Sequence, residues 1–257
     1  MSASALSVPI AQFKPVCSNC GWRELCLPAG LSLEELARIE RLVSARRKVK
    51  RGHSLYQVDD PFAAVYAVWK GFFKSNAYLE DGREQVTGFH MPGDLIGVDG
   101  INADRHTCNA IALEDSDVCV IPFSRFEELS NEVPRLRRQF HVMMSRGMAR
   151  GQAAMLLLGS MYGDQRLASF LLNMSQRVAA RGQPSSELHL CMTRLEIGSF
   201  LGLTFETVSR FLSKFHEERL ISIHRRTIRI LETAGLRNII AGPSERRSAY
   251  YANTLGG

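Results

Sequence analysis

MTRLEIGSFLGLTFETVSRFLSKFHEERLISIHRRTIRI, residues 192–230, reads as helix, tight turn, helix and small β-hairpin. Thr193-Arg194-Leu195-Glu196 has the spacing of a capping box, Gly202 stops the first helix, and Thr204 can cap the second. Along the second helix Glu206, Ser209, Arg210, Ser213 and Lys214 step by three and four and share a face. Phe205, Val208, Leu212 and Phe215 run down another. One face suits a core and the other a polar partner. This is a helix-turn-helix pattern, and Ile221–Ile223 and Ile228–Ile230 alternate as two wing strands around His224–Thr227.

The polar face suits base edges. Arginine can donate two hydrogen bonds to guanine, glutamate can accept from the cytosine amine, and a serine hydroxyl can do either. Phosphates repel a carboxylate, so Glu206 one turn from Arg210 makes sense if it reads a base or orients that arginine. The alternative is an exposed i,i+4 pair, worth a few tenths of a kcal/mol. Arg225 and Arg226, at the wing tip, suit phosphate better than bases, and no glycine is present to ease that turn.

The chain has 257 residues, enough for two modest domains with their own cores. Its +6 net charge fits a nucleic-acid partner. No apolar run approaches the roughly 18 residues that span a bilayer, and no signal-peptide core opens the chain, so a cytoplasmic protein is expected without a membrane partner. Paired nucleophile and base, phosphate loop and catalytic carboxylates are all missing from the pattern, which argues against an enzyme. In a reducing compartment clustered cysteines point to metal or redox chemistry. Cys17, Cys20 and Cys26 form C-x2-C-x5-C. An all-cysteine zinc site or an Fe-S cube needs a fourth thiolate, and spacing alone leaves Cys108, Cys119 and Cys191 as candidates.

Elsewhere the periodicity changes. Ser32-Leu33-Glu34-Glu35 starts a helix with an apolar stripe of Leu33, Leu36, Ile39 and Val43, followed by a basic run, Arg46 to Arg51, expected to be solvated. Between Gly52 and Pro122 short apolar stretches (Ala63–Trp69, Gly71–Tyr78, Gln85–Phe89, His106–Leu113) alternate with turns, as in an antiparallel barrel-like sandwich. From Asn131 to Ser160 a long helix carries Leu136, Phe140, Met144, Met148, Gly151, Met155 and Leu158 along one seam. This seam suits both intramolecular packing and a two-helix coiled coil with a second copy, with Phe140, Met144, Met148, Gly151 and Met155 at the dimer interface. A helix over Asp164–Ala180 turns Leu167, Leu171, Met174 and Val178 inward, and the tail from Ala241 is polar.

T-F-E-T-V-S-R (Thr204–Arg210), preceded by M-T-R-L-E-I-G-S-F-L-G-L, resembles the DNA-binding domain of the CRP/FNR superfamily of bacterial regulators, and E-x-x-S-R resembles its FNR branch. The resemblance implies that Glu206, Ser209 and Arg210 contact bases of a TTGAT half-site. It also implies a cyclic-nucleotide-binding-type β-roll and a fourth ligand before an I-P-F-like turn. V-C-V-I-P-F places Cys119 there, so that Cys17, Cys20, Cys26 and Cys119 would hold an oxygen-labile [4Fe-4S] cluster that promotes dimerisation. Cys108 and Cys191 would then be small buried hydrophobes. The turn Leu79–Gly82 is a candidate RNA polymerase contact beside its plainer reading as a solvent-exposed hairpin. The same fold raises an alternative, a cyclic-nucleotide-gated regulator, for which Gly93-Asp94-Leu95 and Arg105-His106-Thr107 look like weakened versions of the ribose and phosphate segments.

The expected organisation is α+β. A cysteine-rich segment (1–30) precedes an antiparallel β-roll (31–130), a long dimerisation helix (131–160), a winged helix-turn-helix (161–240) and a mobile tail (241–257). The expected function is an oxygen-responsive regulator that binds a palindromic double-stranded DNA operator as a homodimer.

Overall fold

The computed structural model describes residues 17, 20, 21, 23–43, 45–78 and 82–242. Expectations for 1–16, for most of the turn 79–82 and for the tail beyond 242 lie outside the described residues. The chain divides into two compact units, Met1–Ala149 and Arg150–Gly257.

In the first unit a helical turn, α1 (Arg23–Cys26), leads to α2 (Leu33–Leu42). The predicted capping box is present: the Ser32 hydroxyl accepts from the Glu35 N–H at 3.1 Å, and the Glu35 carboxylate accepts from the Ser32 N–H at 2.7 Å. Leu36, Ile39 and Leu42 are buried. Leu33, expected on the same stripe, is 88% exposed at the first helical position, ahead of the packed turns.

The period-2 region forms β1 (Ala45–Val49), β2 (Ser54–Tyr56), β3 (Ala64–Lys70), β4 (Phe73–Tyr78), β5 (Glu84–His90), β6 (Leu95–Ile96), β7 (Asn109–Ala112) and β8 (Ser116–Pro122). They make two four-stranded antiparallel sheets, ordered β1-β8-β3-β6 and β2-β7-β4-β5. The roll interior is packed with Val49, Leu55, Val68, Phe73, Ile96 and Val118. The basic run is only partly solvated. Lys48, Lys50 and Arg51 are exposed, and Lys50 pairs with Asp115 at 2.7 Å, but Arg46 and Arg47 are half-buried, because β1 pairs along its length with β8.

After β8 the chain forms α3 (Phe123–Glu132), largely within the stretch expected to belong to the β-roll, and α4 (Pro134–Ser160). Pro134 stands at the first helical position, where its missing N–H costs nothing. A second core gathers Leu27, Leu36, Ile39 and Leu42 with Val65, Phe126, Leu129, Val133, Leu136 and Phe140.

The second unit contains α5 (Gly163–Ala179), β9 (Glu187–His189), α6 (Arg194–Leu201), α7 (Phe205–Glu217), β10 (Ile221–His224), β11 (Thr227–Ile230) and α8 (Thr233–Ala241). Leu167, Leu171, Ile197, Leu201, Val208 and Phe215 are its core. The wing has three strands, ordered β10-β11-β9; β9 and α8 went unanticipated because neither carries a run long enough to show a period. Phe205, assigned to the core face of the second helix, is 46% exposed at its first position.

Candidate functional site

Strand alternation places the fourth cysteine. Val118 faces the roll interior at 0% exposure, so Cys119 and Ile121 face the other side of the sheet. There Cys119 sits in register between Arg46 of β1 and Ala67 of β3. The N-terminal cysteines are brought to the same side. Cys17, Cys20, Cys26 and Cys119 together line a cavity of about 80 Å³. Its remaining wall includes Leu27, Ile39, Leu42, Leu95 and Phe126, with Leu136, Gln139, Phe140 and Met143 from the first half of α4. Gln139 Nε2 donates to the Leu25 carbonyl at 3.1 Å, tying α4 to the cysteine loop. None of the six cysteines forms a disulfide, and Cys108 and Cys191 lie outside this cavity.

Burial, reinforced by the neighbouring Cys119 and Glu40, pushes the Cys17 thiol up to about 12. Burial likewise pushes the Cys26 thiol up to about 12, with contributions from Cys20, Cys119, Cys17 and Asp94. Cys119 is also raised by burial, and the Arg46 guanidinium opposes that rise by charge and by hydrogen bonding. Arg46 Nε is buried without a hydrogen-bond partner. The donor set therefore suits an iron-sulfur cluster: four sulfurs, an apolar enclosure and an adjacent cation. Among the described residues no three His, Cys, Asp or Glu side chains are already arranged to hold a metal ion.

The residues matched to a cyclic-nucleotide site have other partners. Asp94 is buried and accepts from the Met91 N–H at 3.0 Å, and Arg105 donates to the Asp59 carbonyl at 2.7 Å. Gly93, at φ +86°, lets Leu25 of the cysteine loop approach so closely that a Cβ would lie 2.7 Å from Leu25 Cδ1. The acid facing the Arg105–Thr107 loop is Asp99, not Asp94: it accepts from the Thr107 N–H at 2.8 Å and from the Tyr56 hydroxyl at 3.1 Å. His106 is 2% exposed and stacks on Tyr56 with ring centroids 3.6 Å apart. Cys108 lies beside Tyr56 and Asp99, and burial pushes its thiol up to about 12.

In the second unit Thr193 and Glu196 complete the capping box of α6, and Thr204 accepts from the Thr207 N–H at 3.2 Å to cap α7. Between them Gly202 takes the left-handed conformation, φ 63°. Gly198 lies so near the turn that a Cβ would stand 2.5 Å from the Leu203 carbonyl oxygen. Glu206, Arg210, Ser213 and Lys214 are exposed on α7, and Ser209 is half-buried. Hydrogen bonds from its own backbone N–H and from Thr204 hold the Glu206 carboxyl below the usual carboxylate range.

Arg194, missed in the sequence, donates from Nη1 to Ser209 Oγ at 3.1 Å. It lines one groove with Arg225 and Arg226 of the wing. Its signal was a cation in the first turn of a helix, where the dipole offers it nothing. The wing turn forms without glycine because Arg225 itself adopts φ 54°.

Along α4 the expected seam divides. Leu136 and Phe140 are buried, and Phe140 packs on Phe126 with centroids 4.6 Å apart. Phe140 thus packs into the core of its own chain. Met144 packs partly against that core, whereas Gly151 is exposed, and Met148 and Met155 are 65% and 74% exposed.

Two family models match the chain: a cyclic nucleotide-binding domain over residues 46–132 and a Crp-like helix-turn-helix domain over 165–239. The chain is 43% identical to the transcriptional regulatory protein btr of Bordetella pertussis over 92% of this chain and 98% of that protein. It is 40% identical to the transcriptional activator protein anr of Pseudomonas aeruginosa over 89% of this chain and 94% of that one. The fumarate and nitrate reduction regulatory protein of Vibrio cholerae is 38% identical over 89% and 91%. Among solved structures, FixK2 from Bradyrhizobium japonicum matches at a TM-score of 0.72 and 31% identity, over 79% of this chain and all of that one. With a roll, a winged helix-turn-helix and relatives that are regulators rather than enzymes, the chain belongs to the CRP/FNR family of DNA-binding transcription regulators.

Proposed function

We propose that this regulator is oxygen-responsive: Cys17, Cys20, Cys26 and Cys119 hold a [4Fe-4S] cluster, and the intact cluster favours a homodimer that binds a TTGAT-type palindrome in the cytoplasm. The observation that carries this reading is the convergence of these four thiols, from opposite ends of the first unit's sequence, on one apolar cavity that Cys108 and Cys191 do not line. When bound, the cluster would supply an oxygen-labile centre. Leu27, Ile39, Phe126 and Phe140 keep water from it. Leu136, Gln139, Phe140 and Met143 give α4 direct contact with the enclosure, and the exposed Met148, Gly151 and Met155 of the same helix supply the face for a second copy, with Met144 at its edge.

At the operator, two-fold symmetry puts one α7 in each of two successive major grooves, about 34 Å apart. Glu206, Ser209 and Arg210 read base edges, Ser213 and Lys214 flank them, and Arg225 and Arg226 meet phosphate. The names of the regulators similar to this chain, among them one for fumarate and nitrate reduction, support an anaerobic role. The test is purification under argon with iron and sulfide analysis, and a visible spectrum and operator binding measured before and after air. Coloured protein that loses colour and operator binding together is expected. Colourless protein that binds equally well in air and argon sinks the reading, and binding that appears only with a cyclic nucleotide establishes the other mode of control.

A further inference from the structure

Arg46 belongs to a run that reads as surface charge, yet its position is tied to the cysteine cavity on three sides. It is the cross-strand neighbour of Cys119 in the β1–β8 ladder. Its guanidinium lies over the Trp69 ring, 3.9 Å from the centroid, and Trp69 lines the same cavity as the four cysteines. Its Nε is buried without a hydrogen-bond partner, so a donor is available on that side of the sulfur cage.

A cube held by four thiolates carries net negative charge in an apolar enclosure, where an uncompensated charge is costly. The neighbouring acids, Glu40 beside Cys17, Asp94 beside Cys26 and Asp117 beside Cys119, add to that charge. The Arg46 guanidinium acts on both Cys17 and Cys119 in the opposite sense. Stacking on Trp69 limits its freedom, so less ordering entropy opposes each hydrogen bond it donates.

We propose that Arg46, clamped on Trp69, is a positioning residue for the cluster, which holds the Cys119 sulfur in place and offsets the charge of the thiolate cage. This rests on the cluster reading above. Partners that hydrogen-bond to metal ligands from outside the coordination sphere commonly change metal retention by roughly 10–100-fold when removed.

The experiment uses full-length protein reconstituted with iron and sulfide under argon, and follows iron release to a ferrous chelator together with the visible spectrum. Arg46→Met should release iron about tenfold faster than the parent. Arg46→Lys, which keeps charge but loses the planar stack, should fall between. Trp69→Leu should resemble Arg46→Lys, and Arg47→Met, on the neighbouring position that acts on Tyr66, should match the parent. Unfolding midpoints of the cluster-free proteins separate retention from general stability, and Arg46→Gln replaces Arg46→Met if the latter does not fold. Equal release rates for the parent and the Arg46 variants overturn the proposal while leaving the cluster intact. A parent that takes up no iron and sulfide overturns the cluster reading itself.

Discussion

The two units place their chemistry in opposite ways. In the second unit the residues proposed to face DNA lie within one helix and one turn, positioned by caps and by a 3.6-residue period. In the first, the cysteine cavity is assembled from a loop near the N-terminus, a strand far along the sequence and the start of α4. Locally encoded sites tolerate change piecemeal, because each side chain projects from an already stable helix. A site assembled from distant segments depends on every one of them.

That contrast sets the order of expected effects. Cys26→Ser or Cys119→Ser should sharply lower bound iron, because one of the four thiolates that would hold the cube is lost. Cys108→Ser, outside the cavity, should keep it; equal iron in all three variants, measured by chemical analysis, breaks the assembled-site picture. Next comes Gly198→Ala, whose Cβ meets the Leu203 carbonyl oxygen of the turn. Overpacking of this kind should cost about 1–3 kcal/mol and lower the second unit's unfolding midpoint, read by calorimetry. Arg210→Ala should weaken operator binding by roughly 1–3 kcal/mol and relax preference at one base pair, as seen in a panel of single-base operator variants. Uniform weakening across the panel would make it a phosphate contact instead. Thr204→Ala removes only the cap of α7 and should cost about 1 kcal/mol of stability without changing base preference.

The same contrast explains what could be read in advance. The capping boxes at Ser32 and Thr193, the turn at Gly202 and the exposed face of α7 follow from residues three or four apart, and the structure has them where the pattern put them. Cys119 could be chosen over Cys108 and Cys191 only through resemblance to a family, because its approach to Cys17 is a tertiary contact that no spacing encodes. Phe140 and Met148 occupy equivalent positions in one apolar seam, and only packing reveals that the first is covered and the second is not. Arg194 and Arg46 were hidden for a related reason: a basic residue looks the same in sequence whether it faces water, a serine hydroxyl or a ring. Asp99 escaped because the better-matched Asp94 lay close by in a similar glycine-bounded stretch.

Gly93 offers a last lesson. With no side chain, and with its backbone in the left-handed region, it makes a notch into which Leu25 settles. A methyl group there would crowd Leu25 of α1 and strain a left-handed backbone beside the segment that carries the thiols, so a genetic screen for strains blind to air should return lesions at this glycine, although it contributes no atom to any ligand.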